Sequence, residues 1–181
     1  CAHNGNLTNT YSVKKKLIES GSIFQTSSDT EVILQLVARS REKKIIDKLI
    51  DALHKIKGAY SLVILTNKKL IGVRDPYGIR PLVLGDKNGS PVLASETCAL
   101  DMIGANYIRD IENGEIIIIT EEGIESIKPF KKVKERPCIF ERIYFASPDS
   151  IVDNKTVYTY RKSLGEQLAN ENNVCADVVI P

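Results

Sequence analysis

The chain has 181 residues, a length that predicts one full domain and a remainder rather than two domains. Apolar residues make up 43% and charged residues 27%, a globular mixture that excludes a disordered chain, and no apolar stretch approaches the roughly 18 residues that span a bilayer. The 25 Lys and Arg against 23 Asp and Glu leave +2, too slight to mark a nucleic acid, an anionic membrane or an acidic partner, so none of these is expected.

Residues 7–19 place Leu7, Tyr11, Val13, Leu17 and Ile18 at a three-to-four spacing, with Lys14, Lys15 and Lys16 opposite and Gly21 behind, and predict an amphipathic helix. Ser28, followed three positions later by Glu31, predicts a capping box ahead of a second helix with Val32, Ile33, Leu36 and Val37. Ile45, Ile46, Leu49, Ile50, Leu53 and Ile56 predict a third, running up to Gly58. Beyond Gly58 the period shortens. Residues 60–66, 70–74, 82–85 and 92–95 predict strands of an antiparallel sheet, 97–103 a short helix, and 107–111, 115–120 and 124–127 further strands around the turns Asn113-Gly114 and Glu122-Gly123. Residues 62–65 and 116–119 are apolar throughout, so both faces of their sheet must be covered, one by helices and the other by a further layer. The basic stretch with Lys128, Lys131, Lys132, Lys134 and Arg136 predicts a solvated connector. After it, 139–145 predicts a strand, 157–170 a helix and 176–180 a strand, an order that resembles the opening of an α/β domain.

Cys1, Cys98, Cys138 and Cys175 contain no C-x-x-C pair and follow no signal peptide, which predicts reduced thiols in a cytoplasmic protein. Cys98 and Cys175 lie in apolar contexts and are expected in the core. The absence of an initiator Met, and an end directly after the apolar run 176–180, predict a piece of a longer chain.

Two short motifs could carry chemistry. In His3-Asn4-Gly5-Asn6 a bare glycine lets the backbone approach a ligand beside an amide donor, and a side-chain amide with a backbone N–H is what an oxyanion hole requires. Read alone, the same residues describe an ordinary Asn-Gly turn. Asp29, in the first turn of the second helix, could bind a substrate ammonium or simply complement the helix dipole.

The order of motifs along the chain is more specific. His3-Asn4-Gly5-Asn6-Leu7-Thr8-Asn9, Thr26-Ser27-Ser28-Asp29-Thr30-Glu31 and Lys57-Gly58-Ala59-Tyr60 are followed by Asp75-Pro76-Tyr77-Gly78-Ile79-Arg80-Pro81-Leu82, Ala94-Ser95-Glu96-Thr97-Cys98-Ala99-Leu100-Asp101 and Tyr144-Phe145-Ala146-Ser147-Pro148-Asp149-Ser150. Over essentially its whole length the chain resembles the amidophosphoribosyltransferase family, glutamine-dependent enzymes that open de novo purine synthesis. The resemblance implies an α+β, four-layer αββα sandwich of the N-terminal-nucleophile hydrolase type, here incomplete, followed by the start of an α/β phosphoribosyltransferase domain. It divides the chain into a glutaminase domain at residues 1–136 and, at 137–181, the connection into and start of the second domain.

The resemblance also implies roles. In the family an N-terminal cysteine attacks the glutamine amide, with its own α-amino group as base, and the ammonia converts phosphoribosyl pyrophosphate to 5-phosphoribosylamine. Asn4 and Gly5 would donate to the oxyanion, with Gly5 also touching substrate, and Asp29 would hold the α-amino group of glutamine. Cys1 is not expected to be the nucleophile: it stands three positions before Asn4, where the family has a strand residue, and a strand cannot return its first residue onto a site three positions on. Without the nucleophile segment the chain by itself is expected to be inactive. Mg²⁺ is expected with the phosphoribosyltransferase part, and Cys138 is either a ligand of a 4Fe–4S cluster, as in some relatives, or a buried thiol. The expected partners are glutamine, phosphoribosyl pyrophosphate and further copies of the chain. Ser147 departs from the Arg common in the family and removes a five-donor fork. Rival readings are another class II glutamine amidotransferase, of the glucosamine-6-phosphate synthase or asparagine synthetase type, or a non-catalytic module on the same scaffold.

Overall fold

A computed structural model describes residues 1–172 and 174–180. Strand β1 (Ala2–Leu7) is followed by helices α1 (Thr10–Glu19), α2 (Asp29–Arg39) and α3 (Ile45–Leu53). Strands β2 (Gly58–Leu65), β3 (Leu70–Arg74), β4 (Val83–Lys87) and β5 (Ser90–Ala94) precede helix α4 (Thr97–Ile103) and strands β6 (Asn106–Asp110), β7 (Ile116–Thr120) and β8 (Gly123–Ile127). A single π-helical turn (Glu141–Phe145), the two-residue strands β9 (Ile151–Val152) and β10 (Lys155–Thr156), and helix α5 (Val157–Glu171) complete the order.

The large sheet runs β1-β2-β3-β7-β8 and the small one β5-β4-β6, every neighbour antiparallel. Their stacking follows from period-two alternation. On β7, Ile116 and Ile118 join Leu62, Ile71 and Val73 against the helices, where Leu17, Val32, Ile33, Leu36, Leu49 and Leu53 meet them. Ile117 and Ile119 point the other way and pack with Leu82, Leu84, Val63 and Leu93 between the two sheets. A third cluster, Val83, Leu100 and Ala105 with Val92 and Ala94, seats α4 on the outer face of the small sheet. The layers are therefore helix, sheet, sheet, helix, and the cover that the all-apolar strands demand is the second sheet.

Several local expectations change. The helix over 7–19 begins only at Thr10, because Leu7 closes β1 opposite Gly58 of β2. The capping box is only half formed: the Ser28 hydroxyl accepts from Thr30 N–H, but Glu31 reaches the N–H groups of Gln25 and Thr26 at 2.8 Å each and so ties down the preceding loop. The strand expected at 139–145 is the π-helical turn, which folds Glu141 inward while Ile143, Tyr144 and Phe145 stay largely exposed. The strand expected at 176–180 is absent, since Val178, Val179 and Ile180 find no ladder partner among the described residues and stand exposed, and the β-α-β order does not form there. Cys175 is exposed rather than in the core, and Cys98 is half-buried. The connector has no regular structure, yet Phe130 packs on the helix-side core and Arg136 donates its N–H to the Tyr77 carbonyl at 2.8 Å.

One buried charge sits at the entry to β7 of the large sheet, facing β6 of the small one. Glu115, with no side-chain exposure, receives a two-pronged bond from Arg109 at 2.7 and 2.9 Å, the Glu112 N–H at 2.7 Å and the Ser126 hydroxyl at 2.7 Å. Burial alone would raise its carboxyl, but these donors outweigh it and hold the group at about 2. Between that value and the ordinary 4.5 the unfolded chain binds the extra proton, so stability rises with pH across the window. The contribution is complete above about pH 4.5 and disappears as pH falls towards 2. Urea unfolding of the wild type and Glu115→Gln across this range checks it: the variant is expected to be less stable at neutral pH and to lose less on acidification.

Candidate active site

The site grows from β1, one of the two edge strands of the large sheet among the described residues. Its ladder sets Asn4 opposite Ser61 and Gly5 opposite Tyr60. Gly5 has φ +149°, and a Cβ there would lie 2.1 Å from the Ala59 carbonyl oxygen, so no other residue fits without moving the β1–β2 pair. The Asn-Gly pair lies inside a strand and is not a turn. Tyr60, buried beneath it, keeps its proton, because burial pushes the phenol far above its ordinary range.

Asn4 has both ends of its amide engaged. Its oxygen accepts from Arg80 Nε at 2.9 Å and Arg80 Nη2 at 2.6 Å, and its nitrogen donates to the Ser95 hydroxyl at 3.1 Å. An amide nitrogen carries two hydrogens, so one N–H remains to donate elsewhere.

Arg80 is presented by a turn built around one carboxylate. Asp75, fully buried, accepts from the N–H groups of Tyr77 at 2.9 Å, Ile79 at 3.0 Å and Arg80 at 3.4 Å, while burial raises its carboxyl above the ordinary value. Gly78, at φ +65°, closes the turn with Asn113 packed where a side chain would stand. The third arm of Arg80, Nη1, pairs with Glu141, and its guanidinium lies 4.7 Å from the Phe145 ring centroid.

Asp29 opens α2 but does not cap it, a task the Ser28 hydroxyl performs. Its carboxylate instead faces β1, accepting the Leu7 N–H at 3.0 Å and lying 3.4 Å from Nδ1 of His3. His3 is nearly fully buried, its Nδ1 3.3 Å from the Thr30 hydroxyl, and its Nε2 has no hydrogen-bond partner. A carboxylate accepts about four bonds, and Asp29 is 21% exposed, so it retains capacity for a cation. β1 thus joins an amide donor, a bare backbone and a partly open carboxylate within four positions of its ladder.

Cys1 precedes β1, and its exposed thiol meets only the carbonyl of Ala2 at 3.7 Å. Cys138 is half-buried in the connector. No group of three or more His, Cys, Asp or Glu that could hold a metal occurs among the described residues, so these residues do not by themselves fit an iron–sulfur cluster or a Mg²⁺ site. Ser147, in the place of the common Arg, donates its N–H to Glu96 at 2.8 Å and its hydroxyl to Asp149. The sequence reading gave no role to Arg80, Ser95 or Glu141. Arg80 could have been marked by its setting, a lone cation in a turn flanked by Pro76 and Pro81.

The helix–sheet–sheet–helix layering, with an amide and a bare glycine on β1 and a carboxylate at the start of α2, is that of a glutamine amidotransferase domain of the N-terminal-nucleophile hydrolase type. Residues 1–102 match the glutamine amidotransferase domain family, and the chain belongs to it. The particular relatives are amidophosphoribosyltransferases: a Rhizobium etli protein of that name is 52% identical over 99% of this chain and 37% of its own length. The Bacillus subtilis protein is 46% identical over 98% of the chain and 37% of its length, and the Arabidopsis thaliana amidophosphoribosyltransferase 1, chloroplastic, 51% identical over 99% and 32%. The chain thus spans about a third of the length of these relatives. The B. subtilis glutamine phosphoribosylpyrophosphate amidotransferase, solved with ADP and GMP, superposes with a TM-score of 0.93 over 97% of this chain and 39% of that one, at 45% identity. A glutamine aminotransferase class-II domain protein from Silicibacter pomeroyi, 15% identical with a TM-score of 0.53 over 72% of this chain and 65% of that one, shares the fold.

Gly5→Ala is expected to destabilise the protein by about 1–3 kcal/mol through strain at this φ, and by more if the Ala59 carbonyl cannot move. Urea unfolding, with amide exchange at Ala59 and Tyr60 as a local readout, measures it.

Proposed function

We propose that this chain forms the glutamine-hydrolysing part of an amidophosphoribosyltransferase, supplying ammonia for the conversion of phosphoribosyl pyrophosphate to 5-phosphoribosylamine. The observation that carries the reading is the Asn4 amide, whose oxygen is held by Arg80 so that a free N–H is left over beside the bare backbone of Gly5. Attack on the glutamine amide builds negative charge on its oxygen, and donors already aimed at that charge lower the barrier without reorganising. Asn4 Nδ2 and the Gly5 N–H take this role, and Asp29 pairs with the substrate α-ammonium. The glutamine chemistry occupies residues 1–136, and 137–181 leads into the phosphoribosyltransferase part, where Mg²⁺ would act; the last strand of the sandwich ends at Ile127.

The nucleophile in this reading is not Cys1. Each strand residue advances about 3.3 Å, so an extended β1 carries its first residues away from Asn4. The free state of all four cysteines supports a reducing compartment, the cytoplasm in a bacterium, while the Arabidopsis relatives are named chloroplastic. No helix among the described residues is long and apolar enough to cross a membrane.

Ammonia release from glutamine by the full-length protein tests the assignment. Asn4→Ala is expected to lower kcat by about 100- to 1,000-fold with little change in KM. Asp29→Ala is expected chiefly to raise KM, by about tenfold or more, the scale of losing one charge-assisted contact. A wild-type kcat in Asn4→Ala, or an unchanged KM in Asp29→Ala, would remove the residue from its role.

A further inference from the structure

We infer that Arg80 is a positioning residue for glutamine hydrolysis, which fixes the orientation of the Asn4 amide and is itself held from beyond the sandwich by Glu141 and Phe145. The inference rests on the oxyanion role proposed for Asn4.

A side-chain amide is nearly symmetric in shape but opposite in polarity at its two ends. With its oxygen towards the substrate, Asn4 would repel a developing oxyanion; with its nitrogen there, it stabilises one. Ser95 cannot decide between the two, since a hydroxyl both donates and accepts. Arg80 can, because a guanidinium only donates. Two of its N–H groups converge on the same Asn4 oxygen at 2.9 and 2.6 Å, so the reversed amide would set NH₂ against two donors. A charged donor on the oxygen also polarises the amide and strengthens the N–H at its other end.

Arg80 is in turn immobilised on every side. Asp75 fixes its backbone, the Glu141 carboxylate forms an ion pair with Nη1 and the Phe145 ring covers the guanidinium. Its side chain is 17% exposed and that of Glu141 10%, so the pair works with little water to weaken it. Glu141 and Phe145 belong to the π-helical turn, which follows the connector and lies outside both sheets. A turn beyond the sandwich therefore takes part in setting the catalytic amide.

Since the oxyanion exists only on the way to and from the tetrahedral intermediate, loss of this clamp should act on kcat and leave glutamine binding through Asp29 nearly intact. The test measures ammonia release by the full-length protein at varied glutamine. Arg80→Met is expected to lower kcat about 10- to 100-fold with KM within about threefold. Arg80→Lys is expected to recover part of the loss, because one ammonium donor still favours the amide oxygen without the two-pronged grip. Glu141→Gln, which leaves Arg80 in place but removes the charge that faces Nη1, is expected to cost about 3- to 10-fold in kcat, the scale of a weakened polar contact.

The decisive comparison is the cycle with Asn4→Ala, which reports coupling between two residues. If Arg80 acts through Asn4, Arg80→Met in the Asn4→Ala background costs little more. An equal further loss there, or a raised KM with unchanged kcat, would overturn the inference by showing that Arg80 works elsewhere or only holds the fold. Should Arg80→Met fail to fold, Arg80→Lys and Glu141→Gln in both backgrounds give the same comparison. If Asn4→Ala leaves kcat at the wild-type value, the site assignment and the inference fall together; if it lowers kcat while Arg80→Met does not, the inference alone falls.

Discussion

The buried carboxylate of Asp75 is the constraint on which the site depends. It stands just past β3, where its N–H bonds the Tyr60 carbonyl on β2 and its own carbonyl accepts from Gly78 and Gly114. Its side chain collects three further N–H groups from the turn that carries Arg80. Raised by burial yet ringed by donors, it ties β2, the entry to β7 and the Arg80 turn to one point. Remove that carboxylate and three N–H groups of the turn lose their acceptor together, a larger loss than that of a single bond. The orientation of Asn4 is thus inherited from a residue that does not touch it.

The layering was legible in the sequence wherever burial on both faces left a pattern. The runs at 62–65 and 116–119 cannot belong to a sheet wetted on one side, and the alternate isoleucines of β7 serve two different cores. Helix ends were less legible, because they turn on single competing bonds. Glu31 could close a capping box, yet the N–H groups of Gln25 and Thr26 lie within its reach and win. Likewise 139–145 has a strand's composition, but a strand there would have no neighbour, and the helical turn lets Glu141 meet Arg80.

Of the candidate site, Asn4, Gly5 and Asp29 could be chosen from motif order, and the structure sets the first two on β1 with Asp29 reaching that strand from the start of α2. Their supports were hidden because each contact spans a long stretch of chain: Asn4 to Arg80, Asn4 to Ser95, and Arg80 to Glu141. No local periodicity records such pairs. The orientation of Asp29 was equally undetermined, since a first-turn acid that serves its own helix and one that turns back to β1 have the same spacing in sequence.

The ladders of the large sheet also bear on how the protein folds. Ala2 pairs with Val63, and Leu70 with Ile119, so two of its four strand pairings join segments far apart in the chain. Distant pairings pay for loop closure before any contact rewards them, and such topologies reach the native state slowly. Throughout that delay Ile116–Thr120 is a short, uncharged, strongly β-forming run with neither of its covers in place. Self-association before the sheet closes is therefore set by how soon β3 arrives beside it, a matter of kinetics rather than of the finished fold's stability.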